Sequence, residues 1–143
     1  MASIAARLGH ARSALHKVAF TASGGRLMRR WGGLPVLLLT TTGRVTGRPR
    51  TTILVVPATY QGDPVVVASA GGADHHPQWY RNLARDPSVT TLSAGRREER
   101  RAERLRGAAA EEVWREVFGR APAYGRYRAR ANREIPLVVL RPR

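Results

Sequence analysis

The chain has 143 residues, 43% hydrophobic and 24% charged, with 25 Lys and Arg against 10 Asp and Glu for a formal net charge of +15. That length suits one domain with a real core, and that balance excludes wholesale disorder. There is no cysteine, which excludes disulfides, thiolate nucleophiles and cysteine-ligated zinc or iron–sulfur centres, and His10, His16, His75 and His76 lack a metalloprotease spacing, so no metal site is expected.

Residues 1–33 hold six cations (Arg7, Arg12, Lys17, Arg26, Arg29, Arg30) and no acid, and residues 96–143 hold fourteen arginines against seven glutamates. Such an excess favours an anionic partner: nucleic acid, anionic lipid or a phosphorylated ligand. The use of Arg over Lys, with abundant Ala, reads as a GC-rich coding bias that inflates the charge without function. With aromatics at 6% and no nucleic-acid-binding motif, no nucleic-acid partner is expected. The longest apolar run, Leu34 to Leu39, is far short of the ~20 residues of a membrane-spanning helix. No signal-peptide core precedes it, so a cytoplasmic protein is expected.

In chain order, Ile4, Leu8, Ala11, Leu15 and Val18 fall at three- and four-residue spacing and predict a basic amphipathic helix over residues 3–20. It reads as packed on its own domain or as lying on an anionic membrane surface, and Arg26 to Trp31 could extend the membrane contact. Residues 1–33 are therefore a basic helical segment and residues 34–143 the main domain. Pro35 to Thr42 reads as a buried strand, Gly43 to Pro49 as a turn and Arg50 to Pro57 as a second strand. The turn Gln61-Gly62-Asp63-Pro64 leads to a strand over Val65 to Ala68, completing an antiparallel meander. Pro77 to Arg85 predicts a short helix stopped by Asp86-Pro87, with Asp74 as a cap. Ser88 to Leu92 is another strand. The charged stretch 95–106 reads equally as an exposed helix or a polar edge strand. Ala108 to Phe118 and Ala121 to Asn132 predict helices, and Ile135 to Leu140 a last strand. The class is α+β, mainly β: a small barrel with added helices.

Two segments carry chemistry. In Gly43-Arg44-Val45-Thr46-Gly47-Arg48-Pro49-Arg50, the glycines permit a tight turn whose amides could form an anion-binding nest. Arg44, Arg48 and Arg50 add guanidinium forks matched to phosphate, against the plain alternative of a solvated basic turn. The segment precedes a strand and lacks Gly-Lys-Ser/Thr, so it is neither a P-loop nor a Rossmann turn. In Ser69-Ala70-Gly71-Gly72, followed by Pro77-Gln78-Trp79-Tyr80-Arg81-Asn82, small residues beside aromatics suit a flat heteroaromatic ring, although Trp79 also reads as core packing and His75 and His76 as exposed loop residues.

Leu38 to Arg44 with Thr46-Gly47-Arg48-Pro49-Arg50, and Ser69-x-Gly71-Gly72 with Pro77-x-Trp79-Tyr80-x-Asn82-Leu83, resemble the two motifs of the deazaflavin (coenzyme F-420)-dependent nitroreductase family. The ending Ile135-Pro136-Leu137-Val138-Val139 also fits, and the resemblance spans about residues 33–141. It implies a split β-barrel of the FMN-binding, pyridoxamine-oxidase-like type. It implies hydride transfer from reduced F-420 to a quinone, nitroaromatic or similar acceptor, with an FMN-binding or non-catalytic barrel as the alternative. By match to the motifs, Gly43, Arg44, Val45, Thr46, Gly47, Arg48, Pro49 and Arg50 surround the phosphate and acidic tail. Ser69, Ala70, Gly71 and Gly72 line the deazaflavin, with Trp79 and Asn82 in support. Tyr124, Tyr127 and Ser69 form the catalytic set, the tyrosines closing the acceptor pocket unless they simply pack a helix face. Val45 and Ala70 stand where family members carry lysines, and Ile53 where a proline is common. A homodimer and a peripheral membrane contact through the N-terminal helix are further expectations.

Overall fold

The computed structural model describes residues 30–143; the helix expected over residues 3–20 lies outside them. The strands are β1 (Arg30–Trp31), β2 (Leu34–Thr42), β3 (Pro49–Val55), β4 (Ala58–Tyr60), β5 (Asp63–Val67), β6 (Ser88–Ser93), β7 (Arg96–Leu105) and β8 (Leu137–Pro142). The helices are α1 (Gln78–Arg85), α2 (Gly107–Arg120) and α3 (Ala123–Arg130), with a 3₁₀ turn at Ala70–Gly72.

Every strand pairing is antiparallel. From β3 the hydrogen-bonded order runs β2, β6, β7, β8, β5, β4, with β1 also on β2. The sheet curls so that Leu37 and Leu39 of β2, Val66 of β5, Val89 of β6, Ala102 of β7 and Val138 and Leu140 of β8 share one core with Tyr80 and Leu83 of α1. The end strands β3 and β4 meet only through Val56-Pro57, and this is the split of a split β-barrel. Side chains alternate across each strand, and on β2 both faces are covered: Val36 and Leu38 pack outward with Leu92. That double burial explains why the β2 segment reads as nearly unbroken apolar sequence. Val65, Val67, Leu137 and Val139 pack beneath Val113, Trp114 and Val117 of α2. Fully burying each such side chain stabilises by roughly 1.5–3 kcal/mol.

Two expectations need correction. The meander does not continue past β3: β5 pairs with β4 and β8. The Val56 amide turns to the Pro35 carbonyl at 2.8 Å, and Pro57 has no amide to extend the ladder. The charged stretch 95–106 is a strand but not an edge, for β7 lies between β6 and β8. Its inward-leaning Arg100 is 13% exposed, with Nη2 2.8 Å from Glu98 and Nη1 3.9 Å from Asp63. Arg104 reaches Glu134 at 3.4 Å. Partners from neighbouring elements thus make a charged central strand tolerable.

Candidate active site

β3 is the floor of the site. Along its length Arg50, Thr51 and Thr52 line one cavity of ≈580 Å³, and Ile53, Leu54 and Val55 line a second of ≈360 Å³. Trp79, from the first turn of α1, lines both and stands between them. A seven-residue strand spans roughly 20 Å at about 3.3 Å per residue, so the two cavities form one elongated trough.

The first cavity is polar and cationic. Thr41, Gly43, Arg44, Val45, Thr46, Gln78 and Asn82 complete its wall. Asn82 is 4% exposed and organises it: its Oδ1 accepts from the Arg44 amide (3.2 Å) and from Arg44 Nη1 (3.0 Å), while its Nδ2 donates to Thr41 Oγ1 (3.2 Å). The turn closes with Gly43 N donating to Arg48 O and Gly47 N to Gly43 O, both at 2.8 Å. Arg48 N donates to Thr46 Oγ1 at 3.2 Å. Four turn amides are therefore spent inside the protein, which narrows the expected backbone nest to the amides of Val45 and Thr46. The Thr46 hydroxyl and the Arg44 and Arg50 guanidinium groups add further donors for an anion at the cavity wall. All ten acids of the chain lie at residue 63 or beyond, and none pairs with Arg44, Arg48 or Arg50. Gly47, Arg48 and Pro49 belong to the turn without lining the cavity, and Val45 is 87% exposed at its rim.

The second cavity is apolar. Val67, Ser69, Ala70, Gly71, Pro77 and Tyr124 complete it. Ala70, Gly71 and Gly72 all have positive φ (46°, 65° and 84°), a run that costs about 1 kcal/mol or more at the alanine and persists only where its surroundings enforce it. Gly72 is not in the lining: a Cβ there would sit 3.1 Å from both Cα and O of Tyr127, so this glycine lets α3 pack on the loop. Tyr127 stands behind Tyr124, their rings edge to face at 5.7 Å, and only Tyr124 reaches the cavity. Burial, then Tyr127, pushes the Tyr124 phenol up to about 12. Ser69, 8% exposed, presents the small polar group beside Tyr124.

Sequence reasoning missed the groups that hold this loop from behind. Asp74 is not a helix cap: it accepts from the Asn132 amide at 3.0 Å, and Pro77 occupies the cap position. His76 is not a free loop residue: its Nδ1 lies 2.9 Å from Arg133 Nη1. Burial, then Arg133, Arg104 and Arg81, hold its pKa below the ordinary value. These partners are 57 and 58 residues apart in sequence and leave no local pattern.

A split barrel with a trough that is cationic at one end and apolar at the other suits a ligand that is anionic at one end and flat and apolar at the other. A family model described as F420H(2)-dependent quinone reductase matches residues 12–142, and the chain belongs to that family. An F420H(2)-dependent quinone reductase of Mycobacterium tuberculosis is 36% identical over 133 residues, 88% of this chain and 87% of the relative. The solved structure of a reductase dependent on reduced F-420 (FDR-A) superposes with a TM-score of 0.66 at 32% identity, covering 74% of this chain and 93% of that one. A structure described as a domain-swapped dimer gives a TM-score of 0.71 at 27% identity over 94% of this chain and 98% of that one. The HutZ protein of Vibrio cholerae, at 18% identity and a TM-score of 0.57 over 76% of this chain and 81% of that one, shares the barrel alone.

The residues present fit F-420. The Arg44 and Arg50 guanidinium groups, without acidic partners, line the first cavity and suit its phosphate and acidic tail. The apolar cavity, floored by β3 and walled by Trp79, suits a flat ring system.

Proposed function

We propose that this protein is a reductase that binds reduced F-420 along the β3 trough and passes its hydride to a quinone, with nitroaromatics and similar unsaturated acceptors as further substrates. The observation that carries the reading is the trough itself: Arg44 and Arg50, with no acidic partner, line one end, and the cavity of Ser69, Trp79 and Tyr124 forms the other, with β3 running beneath both. When bound, the cofactor supplies the hydride from C5 of its deazaflavin ring.

The chain's own residues bind, orient and exclude water. Arg44, Arg48, Arg50 and Thr46 hold the anionic end. Trp79, Ser69, Ala70 and Gly71 confine the ring end, and Ile53, Leu54 and Val55 keep that end dry, which strengthens every polar contact inside it. A quinone gains negative charge on oxygen as it accepts a hydride. The Tyr124 hydroxyl, protonated throughout the working range, donates a hydrogen bond or proton to that oxygen, and Tyr127 holds Tyr124 in place. The homodimer is part of this proposal, supported by the domain-swapped dimer among similar structures. So are a cytoplasmic location and a peripheral membrane contact through the N-terminal segment. Among the described residues no helix is long and apolar enough to cross a membrane.

The test is titration with oxidised F-420, with FMN and FAD in parallel, followed by mixing reduced F-420 with menadione and watching the absorbance return. Saturable F-420 binding that is lost in the Arg44→Ala, Arg48→Ala double variant, with menadione-dependent oxidation, is expected. Binding of FMN instead, or of none of the three, overturns the reading.

A further inference from the structure

Arg133 lies between α3 and β8 and touches neither cavity of the trough. Its guanidinium donates from Nε to the Ala73 carbonyl (2.9 Å), from Nη1 and Nη2 to the Ala68 carbonyl (3.2 Å each) and from Nη2 to the Ser69 carbonyl (2.9 Å). Nη1 also meets His76 Nδ1 at 2.9 Å. One planar fork thus gathers three carbonyls and an imidazole from Ala68–His76, the segment that carries the loop wall of the apolar cavity. That wall contains Ala70, whose φ of 46° is strained for a residue with a Cβ and persists only where its surroundings hold it. The next residue back adds a second tie, from the Asn132 amide to Asp74.

We propose that Arg133 is a positioning residue for hydride transfer: its guanidinium fixes the wall Ser69–Gly71, and so sets the distance and tilt at which cofactor ring and acceptor meet. The proposal rests on the reductase reading above. Lysine cannot replace Arg133, because an ammonium is a point charge and not a planar fork reaching several carbonyls. On its far side Arg133 borders a separate cavity of ≈360 Å³ with Trp114, Arg128 and Glu134. Truncation therefore leaves a hole that a free guanidinium ion can enter.

The experiment uses the full chain as wild type, Arg133→Ala and Arg133→Lys, with Val117→Ala, whose side chain lines neither cavity, as a core variant. F-420 affinity, kcat and KM for menadione, and melting temperature are measured with and without low-millimolar guanidinium or methylammonium. Arg133→Ala is expected to keep F-420 affinity within a few-fold, since the arginine-lined cavity is untouched. Its kcat is expected to fall about 10²-fold, the cost of an ångström-scale misplacement, with partial rescue by guanidinium and none by methylammonium. Val117→Ala is expected to lower the melting temperature and keep kcat. Full-rate turnover by Arg133→Ala, or a loss that follows melting temperature equally in Val117→Ala and resists guanidinium, overturns the proposal. Should Arg133→Ala fail to fold, a folded, cofactor-binding but slow Arg133→Lys supports it and a full-rate one overturns it. An inactive wild type overturns the reductase reading and this proposal with it; an active wild type beside an active Arg133→Ala overturns this proposal alone.

Discussion

Asn82 makes three hydrogen bonds from an almost fully buried position, and each has a separate consequence. The bond to Thr41 ties α1 to the inner face of β2. The two from Arg44 fix the direction in which the basic turn presents its guanidinium. Asn82→Ala leaves the Thr41 hydroxyl and the Arg44 amide without their partner, at about 1–3 kcal/mol. It also frees Arg44 to wander, so F-420 affinity should fall roughly tenfold, the equivalent of about 1.4 kcal/mol; thermal melts and cofactor titration check the two effects separately. In the proposed reaction Tyr124 acts as a donor, its phenol pushed up to about 12 by burial. Tyr124→Phe should therefore lower kcat by about 10²-fold with little change in F-420 affinity. The same shift gives a stability signature. An unfolded tyrosine loses its proton near its ordinary value of 10.0, whereas the folded one holds it to about 12. The unfolded state thus binds fewer protons in that window, and native stability falls as pH rises through it. Tyr124→Phe should flatten that alkaline fall in melts taken as a function of pH.

At the joint between the 3₁₀ turn and α3, a glycine lies directly against helix backbone. At Gly72 φ is +84° and a Cβ would meet the Tyr127 backbone at 3.1 Å; because the obstacle is backbone, it cannot swing aside. Gly72→Ala should cost roughly 1–3 kcal/mol and push α3 outward, carrying Tyr124 from the cavity. A raised KM for menadione with F-420 affinity nearly intact is the expected result, and an unchanged KM would show that α3 moves independently of the wall. This joint also marks the limit of what sequence alone conveys. The strands over Pro35 to Thr42 and Arg50 to Pro57, the helix near Ala108 to Phe118 and the basic turn were legible, because each is written in contiguous residues with one period or one turn chemistry. The glycines of Ser69-Ala70-Gly71-Gly72 were legible as freedom of the backbone, but Gly72 spends that freedom on a helix 55 residues away in sequence. Asp74 and Arg133 find their partners only once α3 and β8 are in place. β7 was ambiguous because, beyond its own Glu98, the carboxylates that balance its inward arginines, Asp63 and Glu134, come from other segments. The pairing of β5 with β8 rather than β3 is likewise a long-range choice, set by the proline that ends the β3 ladder.

At the scale of the molecule, the net charge of +15 is not spread evenly in its effect. Arginines on β7 and β8 are balanced in place: Arg100 and Arg141 share Asp63, Arg141 also meets Glu103, and Arg143 meets Glu99. The basic turn has no such balance, since no acid forms an ion pair with Arg44, Arg48 or Arg50. Salt should therefore act on the protein in two opposite directions. The Debye length shrinks from about 30 Å at 0.01 M to about 3 Å at 1 M, so the pull of Arg44, Arg48 and Arg50 on an anionic cofactor weakens and the dissociation constant for F-420 rises several-fold. The self-repulsion of a strongly cationic chain is screened over the same range, so the melting temperature rises. Menadione is uncharged, and its KM should stay flat. Cofactor titrations, thermal melts and acceptor kinetics over one salt series separate these effects. A salt-independent F-420 affinity beside a rising melting temperature would place the charge in bulk repulsion alone and remove the turn arginines from cofactor binding.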